Sequence, residues 1–369
     1  MKKIQSFLIL IFVLTSLSCG DNGNAGPEEP INNFDRKAML IDFADGIIIP
    51  AYNEYVQKLE ILNNFAQSFV QDPTVENLEA LRGYWLDAYK SWQYVSMFDI
   101  GKAEEISLRN FTNIFPTNPT EIEENIISGI YNLELPSKYD EQGFPALDYL
   151  LYGIGENSES IVSKYLEPSK AKYLTDLTDK LEVMAASVLN DWNDEYRESF
   201  IVNDGISATS SVNKLVNDYL LYYEKYLRAG KIGIPAGVFS GDPLSEKVEG
   251  YYAEDISKIL FLTGLDACKR FFNGKNFNTD SIGSGFKSYL DYLNTIKEGA
   301  DLSQLINDQF DATQQTASQL DDNFVMQIQF DNSKMLATYD ELQKNVILLK
   351  VDMLQALNIK IDFVDSDGD

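Results

Sequence analysis

The sequence contains no histidine among its 369 residues, and this absence excludes several kinds of active site. A zinc protease site of the usual type needs imidazole ligands and a general base. The Ser-His-Asp triad and cysteine catalysis both need a histidine beside the nucleophile. These mechanisms are therefore excluded on composition alone.

Cysteine is nearly absent as well, since the chain has only Cys19 and Cys268. If Cys19 carries lipid, as argued below, Cys268 has no partner within the chain for a disulfide. Cys268 lies in the stretch "LTGLDACKRFF" and is predicted to be a small buried apolar residue.

Positive charge is scarce: 30 Lys and Arg face 57 Asp and Glu, for a net charge of -27. Nucleic acids and anionic lipid surfaces attract clustered Lys and Arg, so general binding to either is excluded. The acidity suits cationic ligands or metal ions, but solubility alone explains it as well.

Residues 1–19 resemble the signal peptide of a bacterial lipoprotein. Two lysines precede a short apolar run, and "TSLSC" then places Cys19 where lipid would be attached. Because the run is too short for a lasting membrane span, we expect anchoring to a membrane through lipid on Cys19. The expected location is the cell envelope, at the outer membrane. A plain secretory signal followed by a chance cysteine is the alternative.

Past a tether predicted to be disordered (20–35), the sequence predicts an all-α protein. A polar run at 196–211 separates two halves, predicted to be helical bundles over 36–200 and 201–360, and an acidic tail follows at 361–369. Apolar residues recur every three or four positions in both halves, which predicts buried helix faces. In the first half they are Leu78, Leu81, Trp85, Ala88, Trp92 and Val95, and near the end they are Met335, Tyr339, Leu342, Val346, Leu349 and Met353.

Helix starts are predicted where a capping side chain precedes proline. This pattern occurs at Asp72-Pro73, Asn118-Pro119 and Asp242-Pro243. The most β-like run, "GIIIPAY" at 46–52, contains Pro50, lies inside a helical pattern and is interpreted as a kinked helix.

From about residue 36 the chain resembles the imelysin-like family, which is also classified as a peptidase family. The resemblance rests on the order and spacing of several stretches: "IIIPAYNEYV", "DPTVENLEALRGYWLDAYKSWQYVSMFDIG", "SLRNFTNIFPTN", "QGFPALDYLLYG" and "KIGIPAGVFSG". It implies an all-α fold of two helical bundles with a cleft between them. It also implies an exported or lipid-anchored protein, since many members are, and several lie beside iron-uptake systems.

The family's signature Gly-x-His-x-x-Glu is altered in this chain. Gly143 matches the glycine, Pro145 takes the histidine position, and Asp148 replaces the glutamate. The resemblance makes these three residues candidates for ligand contact at the cleft. A structural interpretation is equally open: Pro145 opens a helix, leucines of "ALDYLLYG" are buried, and Asp148 caps a backbone or pairs with an arginine.

Two further cleft residues are predicted. Arg109, in "SLRNF", is a candidate partner for Asp148, in a pair that would hold two segments in register. Tyr222 belongs to "DYLLYYEKYL", whose three clustered tyrosines cannot all lie on one helix face, so at least one is expected to line the cleft or to be exposed.

A metal ion would have to be held by oxygen ligands, as iron(III) or calcium can be, and Asp148 is the one candidate ligand that the motif supports. No cofactor is required by the sequence. The leading hypothesis is a cell-envelope lipoprotein that binds a ligand without catalysis, associated with iron acquisition and iron-uptake proteins. The alternatives are an interaction protein of an envelope assembly and, least favoured, a peptidase.

Overall fold

The computed structural model describes residues 33–363, and their backbone is almost entirely helical. The strands of this part of the chain are two residues each, Ile296–Lys297 (β1) and Ala300–Asp301 (β2), paired antiparallel with Ile296 opposite Asp301. The predicted all-α fold is confirmed. Cys19, nearly all of the tether and residues 364–369 of the acidic tail lie outside the described residues.

The first half is built around three long helices, of which α2 packs against both α3 and α9. The predicted apolar face of α3 is confirmed, because all six of its residues are buried. The helices of this half are Arg36–Phe43 (α1), Ile49–Gln71 (α2), Val75–Val95 (α3), Lys102–Glu105 (α4), Leu108–Thr112 (α5), Pro119–Ser128 (α6), Gly143–Asp148 (α7), Ser158–Lys164 (α8), Pro168–Asp191 (α9) and Arg197–Val202 (α10), with a 3-10 helix at Pro136–Glu141 and π-helical segments at Ala44–Ile48, Tyr149–Gly153 and Trp192–Tyr196.

The second half packs α16 against α14 and against a long π-helical segment that continues α11. The predicted seam near the end of the chain, which runs from α16 into the π-helical segment Ile347–Met353, is confirmed in five of its six residues. Tyr339 is partly buried, and the others are buried: Met335, Leu342, Val346, Leu349 and Met353. The helices of this half are Ser211–Leu221 (α11), Ser257–Phe272 (α12), Phe286–Tyr292 (α13), Leu302–Ala317 (α14), Phe324–Asp331 (α15), Ser333–Val346 (α16) and Leu354–Leu357 (α17), with π-helical segments at Tyr222–Gly233 and Ile347–Met353 and a 3-10 helix at Ser245–Lys247.

The halves contact each other directly, since α12 packs against α3, and residues 34–363 belong to one compact unit. The boundary predicted between residues 200 and 201 lies inside α10, and the non-helical connection follows at 203–210. No helix within residues 33–363 is both long enough and apolar enough to cross a membrane.

One of the three predicted helix starts is confirmed. Pro119 is the first residue of α6, and the Asn118 side chain accepts a hydrogen bond from the Glu121 N–H at 3.3 Å.

The other two predictions are wrong. Helix α3 begins two residues after Pro73, because Thr74 has the extended backbone of a cap and accepts the Asn77 N–H. The segment around Asp242 is instead a turn, in which the Leu244 N–H donates to the Pro235 carbonyl.

The prediction that "GIIIPAY" is helical rather than a strand is confirmed. The chain is helical throughout, and the π-helical segment Ala44–Ile48 immediately precedes α2, which carries Pro50 in its first turn. Proline cannot donate to the preceding turn, and its ring crowds the carbonyl four residues earlier. The wider π turn accommodates that ring without ending the helix.

Candidate functional site

The stretch "GFPALDYLLYG" forms α7 and the π-helical segment that follows it, with every residue of α7 buried. Gly143, its first residue, has a φ of +75°, and a Cβ built on it would lie 2.1 Å from the carbonyl oxygen of Thr112 at the end of α5. Only glycine combines this backbone conformation with so close an approach. Gly143 therefore fixes how α7 rests on α5.

Asp148, at the end of α7, binds backbone rather than a side-chain cation. Its Oδ2 accepts the Tyr252 N–H at 2.9 Å, and its Oδ1 accepts the Ala253 N–H at 2.8 Å. Asp148 as a residue is 2% exposed, and this burial raises the pKa of its carboxyl group from 3.8 to about 7, although the two backbone hydrogen bonds act in the opposite direction. Asp148 thus joins α7 to a segment of the second half.

The predicted pairing of Arg109 with Asp148 is wrong. The guanidinium of Arg109 instead contacts Asp218 of α11 at 2.9 Å and Asp99 at 3.6 Å, and its Nε donates to the Ser96 carbonyl at 2.8 Å. The two aspartates overcome the opposing effect of burial and raise the Arg109 pKa. Burial, aided by Asp99, raises the pKa of Asp218 to about 6 against the effect of Arg109. Arg109 therefore does link the two halves, but with another acid.

A cavity of about 290 Å³ lies beside Arg109, between the two halves. In the first half, the end of α3, Arg109 and residues 113–116 line this cavity. In the second half, residues of the π-helical segment Tyr222–Gly233 and its neighbours line it. The guanidinium carbon of Arg109 lies 4.7 Å from the ring centre of Tyr226 and 6.0 Å from that of Tyr222. Arg109 and Tyr222 are thus brought together at one cavity.

Pro145 and Asp148 line a second, neighbouring cavity of about 350 Å³. Phe115 and Pro116 lie between the two spaces and line both. Gly143 lines neither of these cavities, because it is buried against Thr112. The altered motif therefore provides one wall of a neighbouring cavity and a structural glycine, while Arg109 and Tyr222 line the cavity of about 290 Å³ between the halves.

Sequence reasoning missed Glu249, a buried residue near the cavity with partners in both halves. Its buried carboxylate accepts hydrogen bonds from the Tyr89 hydroxyl at 3.0 Å and the Asn113 amide at 2.8 Å, and it pairs with the Lys231 ammonium. Burial lowers the pKa of Lys231, and Glu249 acts against that change. Lys231 itself lies in the stretch "KIGIPAG", but nothing in the sequence marks its partner.

The described residues contain few groups suited to catalysis or metal binding. No cluster of three or more Asp, Glu, Cys or His side chains that could hold a metal ion occurs within residues 33–363. Both oxygens of Asp148 already bind backbone N–H groups. Cys268 is buried, as predicted, and burial raises the pKa of its thiol.

The raised pKa of Asp148 predicts a pH-dependent stability. A carboxyl group with a pKa of about 7 when folded and 3.8 as its ordinary value stabilises the fold below about pH 4, and this contribution is lost as the pH rises to 7. From pH 4.5 to 6.5 the free energy of unfolding of the wild type should fall more steeply than that of Asp148→Asn, by about 1 kcal/mol per pH unit. Urea unfolding at a series of pH values measures both slopes. Parallel curves would show that Asp148 titrates normally in the folded chain.

Comparison with known proteins places these features in a family. The model of the family described as imelysin matches residues 48–349. An imelysin-like protein from Psychrobacter arcticum has a similar structure, with a TM-score of 0.71 at 18% identity over 89% of this chain and 97% of that one. A protein from Parabacteroides distasonis, described as an iron-regulated protein A precursor, gives a TM-score of 0.71 at 17% identity with the same coverage. None of the curated proteins compared matches this chain.

Proposed function

The chain belongs to the imelysin family, whose model spans residues 48–349, and we propose that it is a cell-envelope lipoprotein that binds a ligand in its interior without catalysis. The observation that carries the proposal is the cavity of about 290 Å³, lined from both halves by Arg109, Tyr222 and their neighbours. Cavities between helical units, with apolar walls and a few fixed polar groups, are typical small-molecule sites.

Two features of the chain support binding rather than catalysis. The sequence has no histidine, so the usual triads and zinc protease sites are excluded. Two of the four cations that line the cavity, Arg109 and Lys231, are engaged in buried ion pairs with Asp218 and Glu249. Such pairs fix the shape of a site, and neither leaves a free base for proton transfer.

A role in iron acquisition is the more specific part of the proposal. It is supported by the similarity in fold to the protein described as an iron-regulated protein A precursor, and this support is one of analogy. The location in the envelope is supported by the lipoprotein-like residues 1–19 with Cys19 at their end.

The proposal predicts that loss of the protein, or of its anchor, reduces iron uptake. A deletion strain should accumulate less radioactive iron under iron limitation, and the wild-type gene should restore uptake. The Cys19→Ala protein should lose lipid labelling, move to the soluble fraction and fail to restore uptake, because one residue carries the whole attachment. Normal uptake in the deletion strain would contradict the iron role, and membrane retention of Cys19→Ala would contradict the anchor.

Catalysis is tested separately with the purified full-length protein. Unfolded protein substrates should remain intact in its presence, with or without a chelator. Sustained cleavage that is absent from a mock preparation would refute the non-catalytic part of the proposal.

A further inference from the structure

The cavity between the halves has a charge opposite to that of the whole chain. The net charge of the sequence is -27, yet the residues that line this cavity include Arg109, Lys225, Lys231 and Lys247 and no aspartate or glutamate. A cluster of four cations around one cavity of an acidic protein is not explained by solubility. It indicates a site whose ligand is negatively charged.

Two of these four cations are neutralised by carboxylates that lie behind the cavity wall. Arg109 pairs with Asp218 and Asp99, and Lys231 pairs with Glu249. These buried pairs position the cavity wall but leave little net charge there.

The other two cations have no such compensation. Lys225 and Lys247 form no salt bridge with any carboxylate among residues 33–363, and the one described interaction of the Lys225 ammonium is with the ring of Tyr226 at 5.5 Å. Lys225 is exposed and Lys247 partly exposed, whereas Arg109 and Lys231 are buried. The uncompensated charge is therefore about two positive units, on ammonium groups that solvent can reach.

The remaining lining is mostly apolar. Trp92, Phe115 and Ile234 supply apolar surface, and Gln93 is among the few uncharged polar residues of the wall.

We propose that this cavity binds a small organic anion with two or more carboxylate groups, which the Lys225 and Lys247 ammonium groups hold at the rim. The volume of about 290 Å³ is at the small end for ligand cavities and suits a metabolite of this size. A bare metal cation would be repelled by the two lysines and finds no carboxylate in the lining. Iron would therefore enter as its negatively charged carboxylate chelate.

This inference rests on the proposed function only in taking this cavity as the binding site. It names the chemistry of the ligand, and it holds whether that anion is free or chelates iron(III). The free anion and its iron(III) chelate can be distinguished by measurement, because binding requires iron only if the chelate is the ligand.

The test is calorimetry on the full-length protein in detergent, with succinate, malate, citrate, ferric citrate and the uncharged ester triethyl citrate as probes. At least one carboxylate probe should bind, with affinity that falls as salt is added, and the ester should not. Preference for ferric citrate over citrate identifies the chelate as the ligand, and the reverse identifies the free anion. If no carboxylate probe binds, or the ester binds equally well, the inference is wrong.

Substitutions locate the binding. Lys225→Ala and Lys247→Ala should each weaken binding of the best probe about tenfold, because each removes one charged contact. Lys164→Ala is the matched control, since Lys164 is an exposed lysine of α8 that does not line this cavity, and its affinity should equal that of the wild type. Equal affinity in all three variants would overturn the site.

The inference and the iron role can fail separately. Carboxylate binding together with normal iron uptake in the deletion strain would support the inference and refute the iron role. Reduced iron uptake without binding of any carboxylate probe would support the iron role and refute the inference.

Discussion

Replacing Gly143 with alanine is expected to lower the free energy of unfolding by about 3 kcal/mol or more. Two costs add at this position. Alanine is strained at a φ of +75°, and its Cβ would lie 2.1 Å from the Thr112 carbonyl oxygen, so α7 and α5 would have to separate. Urea unfolding monitored by circular dichroism measures the loss.

A second glycine in the same half provides the control. Gly83 lies within α3, and a Cβ at that position meets no atom within 4 Å. Gly83→Ala should therefore stabilise the protein slightly, by about 0.5–1 kcal/mol, because alanine is the better helix former. If both alanine variants unfolded at the same denaturant concentration, the close contact between Gly143 and Thr112 would be refuted.

The helices were predictable because their signal is local. The apolar spacing from Leu78 to Val95 depends only on neighbours along one helix, and the structure buries all of these residues. The starts of helices were less predictable. The helix start near residue 73 has several candidate residues next to each other: Asp72, Pro73 and Thr74. The sequence does not show which of them adopts the extended backbone conformation of a cap.

The candidate site was predictable only in part, because its contacts join distant segments. Arg109 and Tyr222 were predicted to be cleft residues, and both line the cavity of about 290 Å³ between the halves. The partner of Arg109 is Asp218, which lies 109 positions away, and an acidic chain offers many equally plausible acids. The overall charge also does not show which charges surround the cavity, since the chain carries a net charge of -27 while three lysines and Arg109 line this space.

The role of Glu249 could not be predicted from the sequence, and its replacement is the second change expected to have a large effect on stability. Nothing in its local sequence distinguishes it from the other acids, yet it accepts hydrogen bonds from Tyr89 and Asn113 of the first half and pairs with Lys231 of the second. A residue of this kind is recognised only once the two halves are assembled. Removing the charge of Glu249 would therefore leave the Lys231 ammonium buried without a counter-charge.

Glu249→Gln is expected to lower the free energy of unfolding at pH 7 by about 3–5 kcal/mol, because it leaves the Lys231 ammonium buried without a counter-charge. Burial already lowers the pKa of Lys231, and without the opposing effect of Glu249 it should fall further. A lysine with a lowered pKa destabilises the fold at pH values below that pKa, so the loss in the variant should shrink as the pH rises toward 10.5, the ordinary lysine value. Urea unfolding from pH 6 to pH 10 measures this trend.

Two further variants separate the buried pair from a general effect of charge. Lys231→Met combined with Glu249→Gln removes the unpaired cation and should recover much of the stability, since apolar replacements of buried ion pairs are often neutral. Glu105→Gln breaks the surface pair with Lys102 by the same chemical change and should have little effect, because exposed pairs contribute little. The contrary result would be a Glu249→Gln protein that is as stable as the Glu105→Gln protein and whose stability loss does not depend on pH. It would mean that Lys231 and Glu249 are solvated in solution. The arrangement of the cationic residues in the cavity wall would then not be fixed by this ion pair.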